Sequence, residues 1–158
     1  MTAMKRRPPK RRGAVAVEFA CVAPVLLAIV VGMIELTRVY EVQNVLETAA
    51  REGARFAALD RTGMLQEGQT ANAKLASDVK SFLATAGMPS DDVTVSVVSA
   101  ADTSQTFDLD DPANDLKLFQ VQVSVPYSAI SYTPVAQESD YALTSAITFR
   151  NGRAVLSQ

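Results

Sequence analysis

One carboxylate in this 158-residue chain sits where a carboxylate is expensive. Glu18 is the only charged residue in the run Ala14 to Ile34, AVAVEFACVAPVLLAIVVGMI, and a charged side chain near a bilayer centre costs about 2.5 to 3.5 kcal/mol on insertion scales. A cation must offset that cost, and the sequence offers two. Arg11 or Arg12 lies within snorkelling reach if Glu18 stays close to the membrane surface. The other is a new α-amino group created by cleavage after Gly13, because Ala14 and Glu18 are i and i+4 and share one face of a helix.

The remaining reactive groups are few. The chain has no histidine, so proton transfer near neutral pH falls to a perturbed carboxylate, lysine or tyrosine, and a hydrolase triad of the usual form is excluded. Cys21 is the only cysteine, which rules out an internal disulfide or a cysteine-rich zinc site. Most of the apolar run follows Cys21 instead of preceding it, against a lipoprotein signal, and Cys21 reads as a small packing residue. Asp108, Asp110, Asp111 and Asp115 in TSQTFDLDDPANDL have the donor type for a cation but lack the glycine and terminal glutamate of an EF-hand loop, so a solvated surface loop is expected. No nucleophile, base or metal cluster occurs at a usable spacing; no enzyme, cofactor, metal or small-molecule substrate is expected.

The element that must position Glu18 is the apolar run itself. Its twenty-one residues span roughly 31 Å as a helix, enough to cross a bilayer, and it exceeds the apolar core of a cleaved secretory signal, about 7 to 15 residues. Lys5, Arg6, Arg7, Lys10, Arg11 and Arg12 precede it without an acid, leaving nine bases against seventeen acids in the rest of the chain. That split argues against a nucleic-acid-binding body. It orients the span with its N-terminus cytoplasmic and the later residues outside the inner membrane of a bacterial-type cell.

KRRGAVAVEF resembles the processing site of type IV prepilins and pseudopilins. Over residues 11 to 40 the chain is further similar to the TadE-like proteins of tight-adherence (Flp) pilus systems, at Arg12, Gly13, Val17, Glu18, Phe19, Pro24, Gly32, Glu35 and Arg38. The later ETAAREGARFAAL also looks like a continuation of that family. The resemblance implies cleavage after Gly13 by a prepilin peptidase, methylation of the Ala14 amine, and pairing of Glu18 with the amine of a neighbouring subunit. It implies a pilin-like fold, with the inner membrane, the peptidase and other pilus subunits as partners. Major Flp pilins are very short, and the extra domain here suits a minor pilin or pseudopilin. The alternative is an uncleaved single-pass anchor presenting a small binding domain outside. Pro24 and Gly32 are also simply commoner in transmembrane helices than in soluble ones, with Pro24 kinking the rod.

The expected organisation is a basic leader at 1–13, a transmembrane segment at 14–34, an extension of the same helix at 35–61 and an exported α+β domain at 62–158. Leu36, Val39, Tyr40, Val42, Leu46, Ala49, Ala50, Gly53, Ala54 and Ala57 keep one apolar face as far as about Leu59, before the break Arg61, Thr62, Gly63. Glu47 with Arg51 and Glu52 with Arg55 are expected ion pairs on the other face. The small residues of this face allow close approach, either to the chain's own sheet or to neighbouring subunits. A second helix is expected from about Thr70 to Ala86, with Leu75, Val79, Phe82, Leu83 and Ala86 inward and Gly87 as its stop. Strands are expected at Asp92 to Ala100, Leu118 to Tyr127 and Tyr141 to Arg150, forming an antiparallel sheet covered on one face. Tyr127 and Tyr132, near the connection through Pro134, are expected to be exposed at the sheet edge.

Overall fold

The computed structural model describes residues 12–59, 65–132 and 141–152. Of the expected features, the leader as far as Arg11, the break at Arg61 to Gly63 and Pro134 lie outside the described residues. Helix α1 runs over Arg12–Ala58 and α2 over Ala71–Thr85; strands β1 (Thr94–Ser99), β2 (Leu118–Pro126) and β3 (Ala142–Arg150) form one antiparallel sheet in that order. Short 3-10 turns occupy Ser90–Asp92, Pro112–Asn114 and Tyr127–Ala129. The architecture is the expected α+β arrangement. The chain divides into two compact units between Thr37 and Arg38.

In the second unit, which we call the body, the alternation of the strands sets the core. Phe119, Val121, Val123 and Val125 point to one face of β2 and are fully buried. The register places Val97 and Ile147 on either side of Val121, and Val95 and Ser145 on either side of Val123. Over this face lie Val42, Leu46, Ala49, Ala50, Ala54 and Ala57 of α1 and Ala71, Leu75, Val79 and Leu83 of α2. The small residues of α1 are thus consumed inside the molecule. A Cβ added at Gly53 would stand 2.7 Å from Val79 Cγ2, so glycine is what lets α1 and α2 meet there.

Helix α2 starts and stops for local reasons. Thr70 Oγ1 accepts from the Ala73 N–H at 3.2 Å, satisfying one of the otherwise unpaired first-turn donors. At the other end Gly87 takes φ +78°, and the Met88 N–H donates to Leu83 O at 3.0 Å, a Schellman-type closure sealed by buried Met88. Two expected inward residues are corrected: Phe82 and Ala86 are exposed. The buried positions recur every fourth residue from Ala71, a narrow line that leaves Phe82 at the rim of a cleft of about 190 Å³ lined also by Phe56, Glu52 and Asp78.

The acidic connection between β1 and β2 keeps Asp108 and Asp111 at the surface as expected, but its apolar residues anchor it to the body. Phe107 and Leu109 are buried, and the Phe107 ring lies 5.6 Å from that of Phe119. Asn72 clamps both residues, donating through Nδ2 to Phe107 O at 2.8 Å and accepting through Oδ1 from the Leu109 N–H at 3.1 Å. Asp110 Oδ2 accepts from the Ala71 N–H at 2.7 Å, placing a carboxylate at the positive end of α2. Buried Asn151 donates through Nδ2 to Leu109 O and Asn114 O, while its backbone carbonyl holds the N–H of Leu116, which sits at φ +60°. The loop also returns along the β1 edge, where the Phe107 N–H donates to Val97 O at 2.9 Å. At its exposed tip Asp102 accepts from the Ser104 hydroxyl, the Ser104 N–H and Gln105, which holds its carboxyl below the ordinary value.

Three smaller expectations change. Tyr127 is half-buried against the core, and only Tyr132 of that pair is open. Leu36 and Tyr40 are exposed, so the buried face of α1 begins at Val39 and Val42. Arg55 pairs with Glu52 at 3.7 Å, whereas Glu47 and Arg51 form no ion pair; Arg38 with Glu41 and Lys74 with Asp78 do.

Candidate functional site

The first unit supplies the candidate site, the stretch of α1 from Gly13 to Leu36. Its residue types are strong helix formers and β-branched apolar residues, with Glu18 alone charged before Glu35. The helix continues through Pro24. Apolar side chains point outward all round: Val15, Phe19, Leu27 and Met33 are each at least 64% exposed. A soluble monomer rarely carries a contiguous apolar patch above a few hundred Å², so a helix bare on every face requires lipid or protein around it. Among the described residues one helix is long and apolar enough to cross a membrane.

Within this stretch Gly13 and Ala14 occupy the exposed first turn, and Glu18 is exposed one turn later. Among the described residues no ion pair reaches Glu18. Cys21 is a free, exposed thiol. A Cβ at Gly13 or Gly32 would meet nothing within 4 Å, so neither glycine is explained by crowding inside this chain. The arrangement is a helix presenting one carboxylate on an apolar rod, suited to joining a matching cation on another molecule.

The body offers less chemistry. Its larger cleft, about 460 Å³, is lined by Ser99, Gln105, Thr106, Asn114 and Lys117 among others. Among the described residues no group of three or more cysteine, aspartate or glutamate side chains is placed to hold a metal ion. The acids of the β1–β2 loop are engaged separately: Asp102 accepts from Ser104, Asp108 from the Asp110 N–H, Asp111 from the Ala113 N–H, and Asp110 from α2.

Sequence reasoning missed the contact at the start of the body. The Arg38 guanidinium lies 5.5 Å from the Tyr132 ring centroid and 3.7 Å from Glu41 Oε2. Glu41 was findable as an i+3 neighbour. Tyr132 is separated from Arg38 by most of the chain, and no local pattern connects them.

Residues 13–55 match the family described as TadE-like protein, the stretch that contains Gly13, Glu18, Pro24, Gly32 and Arg38. The resemblance read from residues 11 to 40 is thereby supported by the family comparison. No curated protein and no solved structure matches the chain.

Proposed function

We propose, from the likeness of residues 13–55 to TadE-like proteins, that this chain is a structural component of a tight-adherence-type pilus or a related secretion machine. Within that role it acts as a minor pilin or pseudopilin, assembling through α1. Residues 1–13 are its leader, residues 14–34 hold it in the inner membrane with the N-terminus cytoplasmic, and the helix extension and α+β body lie outside. A prepilin peptidase cuts after Gly13, and the chain takes part in no catalysis of its own.

The observation that carries this reading is the outward-facing apolar helix with a single acid four residues past Ala14. A carboxylate and an amine buried together in lipid cancel most of the cost that either would carry alone, whereas an unpaired buried charge is strongly unfavourable. The amine at Ala14 and the Glu18 carboxylate of a neighbour form such a pair and specify the register of assembly. Pro24 and Gly32 weaken the helix between these groups and the body, giving it freedom to bend as it leaves the bilayer.

Intact mass of the membrane-extracted protein tests the reading. Loss of residues 1 to 13, with or without one methyl group on Ala14, is the expected result in cells that hold the peptidase. A full-length mass in those cells sinks the pilin reading and leaves an uncleaved anchor presenting a small outer domain.

A further inference from the structure

All four tyrosines of the chain, Tyr40, Tyr127, Tyr132 and Tyr141, gather at one end of the body, where α1 enters it at Arg38. The Tyr132 ring stacks on the Arg38 guanidinium. The Ser131 N–H donates to Tyr127 O at 3.0 Å, closing the turn between Tyr127 and Tyr132, and the Tyr127 N–H donates to Tyr141 O at 2.8 Å. Gln43 Nε2 donates to Thr144 O at 3.3 Å, and further along Gly152 abuts Ala58 O. Helix and strand therefore run the same way, and Tyr141 is level with the first turns of α1 in the body. Tyr40, two residues past Arg38, lies on the other side of the helix.

Three of these rings are open to solvent: Tyr40 at 64%, Tyr132 at 70% and Tyr141 at 64% exposure. The opposite end of the sheet, roughly 26 Å away along β2, exposes Leu116 and Leu118 and carries no tyrosine. We propose that the tyrosine end is a lipid-contacting surface, with Tyr40, Tyr132 and Tyr141 in the headgroup layer. The proposal rests on the membrane-spanning reading of residues 14–34.

Chain continuity selects lipid as the occupant. Arg38 follows Ile34 by four residues, roughly 6 Å along a helix, and the interfacial layer on each side of the hydrocarbon is about 5 to 8 Å deep. Tyrosine favours that layer because its ring is apolar and its hydroxyl wet. Arg38, its side chain only 23% exposed and paired with Glu41, lies over the Tyr132 ring and holds that ring in place at this end. The surface holds the body against the bilayer before assembly, with tyrosines acting as the float line.

The chain has no tryptophan, so one introduced tryptophan reports one place. Tyr132→Trp and Leu118→Trp versions of the full chain are reconstituted into phosphatidylethanolamine/phosphatidylglycerol vesicles containing a lipid brominated near its headgroup, and flotation is measured first. With the chain floating, the emission of Tyr132→Trp is expected to be quenched at least threefold more than that of Leu118→Trp. Equal quenching in floating samples overturns the lipid surface while leaving the span intact. Failure to float overturns the span and this inference with it. Shielding of position 132 that persists in detergent and grows with protein concentration assigns the surface to a second copy and also overturns the proposal.

Discussion

Asn72→Ala is predicted to release the β1–β2 loop from α2. The wild-type amide makes two hydrogen bonds to loop backbone, to Phe107 O and from the Leu109 N–H, each with a net value of about 1 kcal/mol. Alanine is the better helix former by up to ~0.7 kcal/mol, which offsets part of the loss. If the loop stays in place, the orphaned carbonyl and N–H set the cost instead, at about 1 to 3 kcal/mol; if it leaves, Phe107 and Leu109 are exposed. The net loss is about 1.5 to 3 kcal/mol. For a body of this size 1 kcal/mol moves Tm by roughly 3 to 6 °C, so circular dichroism melting of the detergent-solubilised chain should fall by about 5 to 18 °C. Amide exchange at residues 107–110 should accelerate alongside. A melting point within 1 °C of wild type, with exchange unchanged, refutes the clamp.

Other perturbations separate the body from the apolar helix. Asn151→Ala removes the side chain that holds Leu109 O and Asn114 O and should cost about 1 to 3 kcal/mol by thermal melting. Gly152→Ala puts a Cβ 1.9 Å from Ala58 O; the strand end and helix end must part, and a loss of at least about 2 kcal/mol is expected, whereas Gly32→Ala should leave body stability unchanged. Glu18→Ala should preserve cleavage and insertion while lowering recovery in filaments or complexes by at least tenfold, scored by immunoblot of sheared surface fractions; equal recovery favours a snorkelling carboxylate with no intersubunit role. Gly53→Val should destabilise the body by about 1 to 3 kcal/mol through overlap with Val79, measured by the same melting assay.

Much of the fold was legible because local rules and tertiary demand agreed. Val93 to Val97 and Phe119 to Val125 alternate, and their sheet uses that alternation. Thr70 and Gly87 mark the ends of α2 by capping chemistry that needs no distant partner. The anchoring of the loop went unread because its aspartates outweigh Phe107 and Leu109 in a composition argument, while Asn72 and Asn151, which bind it, come from distant elements. Phe82 was assigned inward because helical periodicity gives a face and not the width of contact on it. At the candidate site Glu18 stands out by cost alone, being a charge in an apolar run. The tyrosine end does not, since Tyr127, Tyr132 and Tyr141 come level with Arg38 and Tyr40 only once the helix and the sheet pack together.

The small-residue face of α1 closes against the chain's own sheet and second helix, which divides the helix by its response to salt. From Arg38 onward the side turned away from the core shows Glu41, Glu47, Arg51, Glu52 and Arg55, so attachments made there are ionic and fade as the screening length shortens from ~8 Å at physiological ionic strength to ~3 Å at 1 M. In the proposed assembly, attachments made by residues 14 to 34 are apolar apart from the Glu18 pair, and that pair, buried in an apolar surround, is screened far less by salt than exposed charges are. Washing an assembly with concentrated salt should therefore loosen subunits from one another along their outer halves while leaving them joined at the root.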